Sequence, residues 1–169
     1  MNLFVLRHAK ACARSPKWRP DDTRPLTRDG EKKMYHIARG IQSLDLSIDL
    51  ILTSPYLRAF RTAEILGEVL ESKKVFASKN LIAEAEPRAV IDEMNENFAE
   101  LTQIALVGHE PFLSRLISVL LSGRDNLPIE LRKGGYCKLS IKKLSFGPCA
   151  GLEWLMTPRQ LARLARGKH

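Results

Sequence analysis

Residues 3 to 11 read LFVLRHAKA, and this stretch decides the fold class. Its first four residues are apolar and predict a short buried strand, while Arg7 and His8 follow directly where the apolar run ends. Similar short runs at residues 50–52 and 104–107 are each followed by a turn signal and a helical pattern. This alternation predicts an α/β fold in which helices flank a mostly parallel central sheet on both faces.

Helical periodicity places the first helix from near Gly30, with apolar residues at three- and four-residue spacing on one face. The other predicted elements are helices over residues 55–70 and 86–101, a helix from Pro111, strands over YCKLSI (136–141) and GLEWLM (151–156), and a basic helix over PRQLARLAR (158–166). Residues 10–29 lack an apolar period and are rich in Pro, Arg and Asp. A loop of that length in a small domain is usually functional.

The length of 169 residues and the apolar content of 44% predict one domain over residues 1–169 with one substantial core. No signal peptide is expected, and no apolar run approaches the roughly 20 residues that cross a bilayer. Cys12, Cys137 and Cys149 form neither an even set nor a CxxC pair, which argues against a disulfide framework and a zinc site. These features favour a cytoplasmic protein that does not act at a membrane.

The formal charge is +8, and the excess of Lys and Arg lies at the two ends of the chain around an acidic middle. Such an excess is compatible with a solvated basic surface or with a positive field around an anionic substrate or an acidic partner. Aromatic residues make up only 7% and do not alternate with the basic ones, as a base-stacking surface requires. Nucleic acid is therefore not the expected partner.

Candidate functional residues follow three predicted strands. They are Arg7 and His8, then Arg58 and Arg61 within TSPYLRAFRT (53–62), and His109 within GHEP (108–111). Taken singly, each has an ordinary structural explanation at a turn or on an exposed helix face. Ligands of open α/β sheets bind at the carboxyl ends of the strands, so these residues are expected to converge on one site.

Two arginines and two histidines together suit a phosphoryl group. Arginine offers a planar fork of donors for phosphate oxygens, and a neutral histidine attacks phosphorus to form a covalent intermediate. Other phosphate chemistries lack their signatures, because the chain has no CxxxxxR, GxxxxGK or GxSxG motif and no histidine spacing typical of a metal site. No metal or cofactor is expected, and His36 and His169 are expected to lie outside the site.

The segment LRHAKA (6–11) resembles the Arg-His-Gly motif of the histidine phosphatase superfamily, with Ala9 in place of the glycine. TSPYLRAFRTAEIL (53–66) and LVGHEP (106–111) resemble the second and third motifs of that superfamily. RPLTRDG (24–30) and LEWLMTPRQL (152–161) resemble its compact SixA-type phosphohistidine phosphatase branch. The resemblance covers nearly the whole chain.

This resemblance implies a phosphoglycerate-mutase-like fold and a metal-independent phosphatase. It implies that His8 is the nucleophile and that Arg7, Arg58 and His109 hold the phosphoryl oxygens together with it. Ala9 adds a methyl group where the motif has glycine, a change that bears on the backbone conformation of this loop. Larger members use a carboxylate as general acid, and Glu84 and Glu86 are the candidates here. Both residues equally suit the start of a helix, where acidic side chains interact favourably with the dipole.

A phosphohistidine releases imidazole, whose pKa of about 6.5 makes it a far easier leaving group than an alkoxide. A compact phosphatase without a clear general acid therefore favours phosphohistidine as substrate, with a phosphorylated protein such as a phosphohistidine-bearing signalling domain as partner. The basic loop from Lys10 to Arg28 is expected to meet that partner. Two alternatives stay open: a phosphatase for a small phosphate ester, and a non-catalytic phosphate or phosphoprotein binder.

Overall fold

The computed structural model describes residues 1–72 and 74–166; His169 lies outside them. Its strands are β1 (Asn2–Arg7), β2 (Leu50–Thr53), β3 (Val75–Ala77), β4 (Gln103–Gly108), β5 (Tyr136–Ile141) and β6 (Ala150–Met156). Its α-helices are α1 (Arg28–Gln42), α2 (Leu57–Leu70), α3 (Pro87–Asn97), α4 (Phe112–Ser122) and α5 (Pro158–Leu164).

The six strands form one sheet in the order β3-β2-β4-β1-β5-β6. The first four strands in that order are mutually parallel, whereas β5 runs antiparallel to both β1 and β6. The prediction of a mostly parallel central sheet is confirmed. The eight residues that join β5 to β6 (142–149) allow this antiparallel pairing at the edge of the sheet, because parallel neighbours need a longer crossover.

Alternate residues of β1 face opposite sides of the sheet and enter two separate apolar clusters. Leu3 and Val5 pack on the side of α3 and α4, and Phe4 and Leu6 pack on the side of α1, α2 and α5. The predicted apolar face of α1 is buried in the second cluster. Helices on both faces are therefore confirmed. In residues 1–72 and 74–166, no helix combines the length and the apolar character that crossing a membrane requires.

Several helix boundaries differ from the predicted ones. Helix α1 begins before Gly30, because the side chain of Thr27 accepts a hydrogen bond of 2.9 Å from the backbone N–H of Gly30 and caps the helix. The helices predicted from Pro55 and Pro111 begin at Leu57 and Phe112, just after these prolines. The basic C-terminal helix ends at Leu164 rather than at residue 166.

The helix predicted over residues 86–101 is shorter at both ends. Glu86 has an extended backbone and precedes the proline that starts α3, which matches the preference of proline for the first helical position. At the other end, Phe98 leaves the helical region of backbone space with φ −136°. Phe98 and Leu101 pack partly buried against the core, so the chain turns there towards β4.

Strand β3 was not predicted from the sequence. It has three residues, pairs only with β2 at the edge of the sheet, and leaves Phe76 exposed. Such a short edge strand has no buried apolar run to reveal it.

Candidate active site

The two predicted site histidines meet because of the register between neighbouring strands. Arg7 at the end of β1 pairs with Gly108 at the end of β4, so His8 and His109 are the next residues on two adjacent parallel strands. The backbone N–H of His8 donates a hydrogen bond of 3.0 Å to the carbonyl of Gly108. The two imidazole rings lie 5.0 Å apart, measured between their centroids.

His8 is buried and held in one tautomer. Its Nδ1–H donates a hydrogen bond of 2.7 Å to the carbonyl oxygen of Ala9, which leaves the lone pair of the neutral ring on Nε2. Burial lowers the pKa of His8 to about 3; the bond to Ala9 opposes this change, while the charges of Arg58 and Arg7 reinforce it. At neutral pH the ring is therefore uncharged and able to act as a nucleophile.

Ala9 stands where the resemblance predicts glycine, and the structure accommodates its methyl group. The residue is buried and packs in the apolar cluster beneath α2. Its backbone N–H donates to the hydroxyl of Thr62 at 3.1 Å, and that hydroxyl donates to the carbonyl of Arg58 at 2.7 Å. This chain of hydrogen bonds ties the turn after β1 to the first turn of α2.

Ser54 is a site residue that sequence reasoning missed. It follows β2 directly, and its hydroxyl lies 2.8 Å from Nε2 of His109. The same hydroxyl oxygen accepts a hydrogen bond from the backbone N–H of Tyr56. The other ring nitrogen of His109, Nδ1, is buried and has no hydrogen-bond partner among the described residues. The rule that the first polar residue after a strand belongs to the site could have found Ser54.

His109 is kept neutral by the same forces as His8. Burial lowers its pKa to about 2, and the nearby His8 and Arg58 add to the effect. Its ring also contacts Tyr56, with ring centroids 5.0 Å apart. A neutral His109 carries one ring N–H, and such a group is a hydrogen-bond donor suited to a phosphoryl oxygen.

Arg58 and Arg61 lie on the same helix but have different surroundings. Arg58 is buried, and its guanidinium lies against Asp21, with an Nη2 to Oδ2 distance of 2.9 Å and a hydrogen bond of 2.8 Å from Nη1 to the backbone carbonyl. Arg61 instead pairs with three carboxylates on α1 and α2, Glu31, Glu64 and Glu68. The structure thus brings Arg58 to the histidines and turns Arg61 away from them.

Asp21 and Arg24 were also missed by sequence reasoning. Asp21 begins a short 3₁₀ turn in the loop after β1, and Arg24 follows it within RPLTRDG. Arg24 Nε donates to Asp21 Oδ1 at 2.9 Å, so one carboxylate joins Arg24 to Arg58. Only their position in the unusually long loop could have indicated these residues from sequence.

Arg7 contributes a third guanidinium at the same edge of the sheet. Its Nη1 donates to the carbonyl of Leu131 at 3.0 Å, while its buried Nε has no hydrogen-bond partner among residues 1–72 and 74–166. The nearby carboxyl of Glu110 is partly buried, and burial raises its pKa; the bond from Ser114 and the charge of Arg7 oppose this change. The edge of the sheet therefore combines three guanidinium groups with two neutral imidazoles.

The two candidate general acids lie in different places. Glu84 is exposed and lines a cavity of about 570 Å³ together with Asp21, Tyr56 and Arg58. Glu86 pairs with Arg115 at 3.1 Å and lines a separate cavity beside α4. Only Glu84 shares a cavity with a predicted phosphate-binding residue. Over residues 1–72 and 74–166, no group of three or more His, Cys, Asp or Glu side chains is arranged to hold a metal ion.

The lowered pKa values of His8 and His109 predict an acid-sensitive fold. In the unfolded chain both groups titrate near 6.5, so between pH 6.5 and about 3 the unfolded state binds more protons than the folded state. The free energy of unfolding should decrease by about 2 kcal/mol per histidine from pH 7 to pH 5. Urea unfolding at both pH values measures this change.

The control for this prediction is a double variant with His8→Asn and His109→Asn, which should lose the additional acid sensitivity. Replacement of His36, which is exposed on α1, should leave the acid sensitivity in place. An unchanged pH dependence in the double variant would contradict the prediction.

Comparison with known proteins places this site in a family. Residues 3–83 match the model of the histidine phosphatase superfamily (branch 1), a segment that includes Arg7, His8 and Arg58. The chain belongs to the histidine phosphatase superfamily. It is 33% identical to an uncharacterized protein of Picosynechococcus sp. over 80% of this chain and 82% of that protein. Its identity to the phosphohistidine phosphatase SixA of Escherichia coli is 26%, over 73% of this chain and 76% of that protein.

The solved structure of the protein histidine phosphatase SixA complexed with tungstate has the same fold. Its TM-score is 0.83 at 22% identity, over 95% of this chain and 99% of that one. The phosphoglycerate-mutase-like fold that the resemblance implies is confirmed. The resemblance to the SixA-type branch agrees with the sequence match to the Escherichia coli protein. Ester phosphatases share the fold as well, since a phosphoserine phosphatase from Entamoeba histolytica matches 95% of this chain and 98% of its own with a TM-score of 0.67 at 15% identity. The family assignment therefore indicates a phosphatase and leaves several substrate classes open.

Proposed function

We propose that this protein is a metal-independent phosphohistidine phosphatase that acts through a covalent phosphohistidine at His8. The observation that carries the proposal is the hydrogen bond from His8 Nδ1–H to Ala9, because it leaves the lone pair on Nε2 of a buried, neutral ring beside Arg7 and Arg58. The positive charge that phosphoryl transfer requires is supplied by the guanidinium groups of these arginines.

In the first step, the lone pair of His8 Nε2 attacks phosphorus and forms a new N–P bond. The N–P bond of the substrate breaks, and its electron pair goes to the leaving imidazole, which takes a proton from solvent. In the second step, a water molecule attacks phosphorus, its proton passes to solvent, and the bond to His8 breaks with release of inorganic phosphate. Arg7, Arg58 and the ring N–H of His109 hold the phosphoryl oxygens throughout.

A phosphohistidine substrate requires neither candidate carboxylate as a general acid. Imidazole leaves without strong acid assistance because its pKa lies near 6.5. Glu86 is held by Arg115, and Glu84 is exposed at the mouth of the cavity beside Arg58. The phosphoprotein partner and a cytoplasmic location belong to the same proposal. The three cysteines are free thiols, as is usual in a reducing compartment.

Hydrolysis of a small phosphate ester is a second candidate function, and the cavity of about 570 Å³ is the observation that favours it. The cavity extends from Arg58 to Glu84 and has room for a small alcohol group, with Glu84 placed to protonate the leaving oxygen. A substrate panel that compares a phosphohistidine protein with small phosphate esters distinguishes the two functions. We expect the phosphohistidine protein to have the higher kcat/KM.

Glu84→Gln is expected to leave hydrolysis of phosphohistidine within about twofold of the wild type, because imidazole needs little acid assistance. Any hydrolysis of esters should fall about 100-fold in the same variant, because an alkoxide leaving group needs a proton. Glu86→Gln is the matched control, since its carboxylate pairs with Arg115 outside the cavity. A large loss of phosphohistidine hydrolysis in Glu84→Gln would instead make Glu84 a general acid for both substrates.

A further inference from the structure

A groove between α1 and α5 includes Ala9, the residue that follows His8, and shares none of its described lining residues with the cavity that holds Glu84. Its volume is about 490 Å³, and its floor is apolar, with Ala9, Ile37, Pro158 and Ala162 among the lining residues. Five cationic side chains surround this floor: Lys10, Lys33, Lys133, Arg159 and Arg166. The groove therefore combines an apolar floor with a basic rim.

The positive charge of the rim is only partly neutralised. Asp29 pairs with Lys10 at 3.5 Å and with Lys33 at 2.9 Å. Among the described residues, no carboxylate lies within 4.0 Å of the cationic nitrogens of Lys133, Arg159 or Arg166, which leaves the rim with a net positive charge. Such a rim attracts carboxylates of a partner at long range and orients them at contact.

The groove adjoins the phosphoryl site through Ala9 and Lys133. Ala9 in its floor follows His8 directly, and Lys133 on its rim is close enough for its charge to act on His8. The loop that carries Lys133 is fixed to the end of β1, since the backbone N–H of Gly134 donates to the carbonyl of Arg7 at 3.0 Å. A partner bound in the groove would therefore lie next to the nucleophile.

The groove is also preformed. Helix α5 packs so closely on α1 that a Cβ at Gly40 would lie 1.9 Å from the carbonyl oxygen of Leu161. Thr157 and Gln160 form a capping box that fixes the start of α5. A rigid wall lowers the entropy that a partner loses on binding.

We propose that this groove binds an acidic amphipathic segment of the phosphoprotein substrate, an inference that rests on the proposed phosphohistidine phosphatase function. The apolar floor would take aliphatic side chains, and the basic rim would pair with Asp and Glu on the same segment. When a phosphohistidine on a protein binds at His8, the residues around that phosphohistidine contact the surface next to the site, and the groove is part of this surface. Among the described residues, His36 is the single aromatic ring that lines the groove, which disfavours a run of stacked bases as its ligand.

The test is a double charge reversal, Arg159→Glu with Arg166→Glu, neither of which belongs to the phosphoryl site. Arg159 lies in the first turn of α5, where a glutamate is compatible with the helix dipole. The matched control is Lys142→Glu with Lys143→Glu, an equal change in net charge at two exposed residues between β5 and β6. Circular dichroism verifies that both variants are folded.

Two synthetic phosphohistidine peptides serve as substrates, one flanked by an acidic amphipathic segment and one with Gln in place of its Asp and Glu. The wild type and the Lys142/Lys143 control should prefer the acidic peptide by about tenfold in kcat/KM, an effect expected from a few charge pairs at a partly exposed rim. The Arg159/Arg166 variant should lose this preference and retain turnover of the Gln peptide and of free phosphohistidine. An equal preference in all three proteins would overturn the proposal.

Fluorescence anisotropy with the unphosphorylated acidic peptide separates the groove from the catalytic function. If the wild type binds this peptide and the Arg159/Arg166 variant does not, the groove assignment stands. It stands even if the wild type hydrolyses no phosphohistidine substrate, because absence of hydrolysis refutes only the proposed function. Equal binding by both proteins overturns the groove assignment. Binding of phosphatidylserine vesicles by the wild type without binding of the acidic peptide overturns it as well.

Discussion

His8→Ala should reduce kcat by about 10⁴-fold or more, because the variant lacks the nitrogen that forms the covalent bond to phosphorus. The effect should exceed that of any other single substitution in the site. The neighbouring arginines and histidine hold the phosphoryl group but do not attack it. His8 is the predicted site residue whose Nδ1–H is bonded to the carbonyl of Ala9, so its lone pair lies on Nε2 and is free to attack phosphorus. Steady-state and single-turnover kinetics with a phosphohistidine substrate measure the loss.

The covalent intermediate gives a second readout. Wild-type protein incubated with a radiolabelled substrate and quenched in alkali should carry a label that is stable to base and released by acid, as expected for a phosphoramidate. His8→Ala should carry none. His36→Ala is the matched control, because this histidine lies exposed on α1 outside the site. A label that persists in His8→Ala would place the nucleophile elsewhere.

Arg58→Ala should have the second largest effect, a decrease of about 10³-fold in kcat/KM, comparable with the loss of a charged donor to a phosphoryl group. Arg58 is buried with its guanidinium beside Asp21 and close to both histidines. Arg58→Lys should recover only part of the activity, because a single ammonium keeps the charge but lacks the planar fork of donors. The measurement is kcat/KM with one substrate across the series.

Arg61→Ala is the matched control for Arg58, one turn further along α2. It should keep activity within about threefold of the wild type while it loses its ion pairs with Glu31, Glu64 and Glu68, whose contribution to stability is modest. Equal losses of activity in Arg58→Ala and Arg61→Ala would contradict the prediction that Arg58, and not Arg61, binds the phosphoryl group. Thermal unfolding of both variants separates a loss of activity from a loss of folded protein.

Asp21 occupies part of the guanidinium of Arg58 in this structure. Its carboxylate contacts both Arg58 and Arg24, and it faces the same guanidinium that a phosphoryl group would bind. Burial opposes ionisation of this carboxylate, but the hydrogen bond from Arg24 and the charge of Arg58 prevail and hold its pKa below the ordinary value. It is therefore an anion at neutral pH, and a phosphoryl group has to compete with it for Arg58.

Local pattern was enough to predict the strands that carry the site. The apolar run before Arg7 and the run before His109 each end at a polar residue, and the register of β1 with β4 brings these two ends together. Parallel pairing of buried strands follows from the alternation of strands and helices, so the meeting of His8 and His109 could be anticipated. The short edge strand β3 carries no such pattern and was not predicted.

The sequence by itself determined the α/β fold class, the apolar face of α1 and the presence of histidines and arginines at three strand ends, because each depends on the order of residues over a short stretch. Local pattern alone did not separate Arg58 from Arg61, because both lie near the start of one helix, and only the family resemblance singled out Arg58. The tertiary structure supplied the physical difference, since Arg58 is buried against Asp21 while Arg61 pairs with Glu31, Glu64 and Glu68. It also showed that Glu84, and not Glu86, lines the cavity beside Arg58, and it added Ser54 to the site. The groove between α1 and α5 depends on packing between segments more than 100 residues apart, which no local pattern encodes.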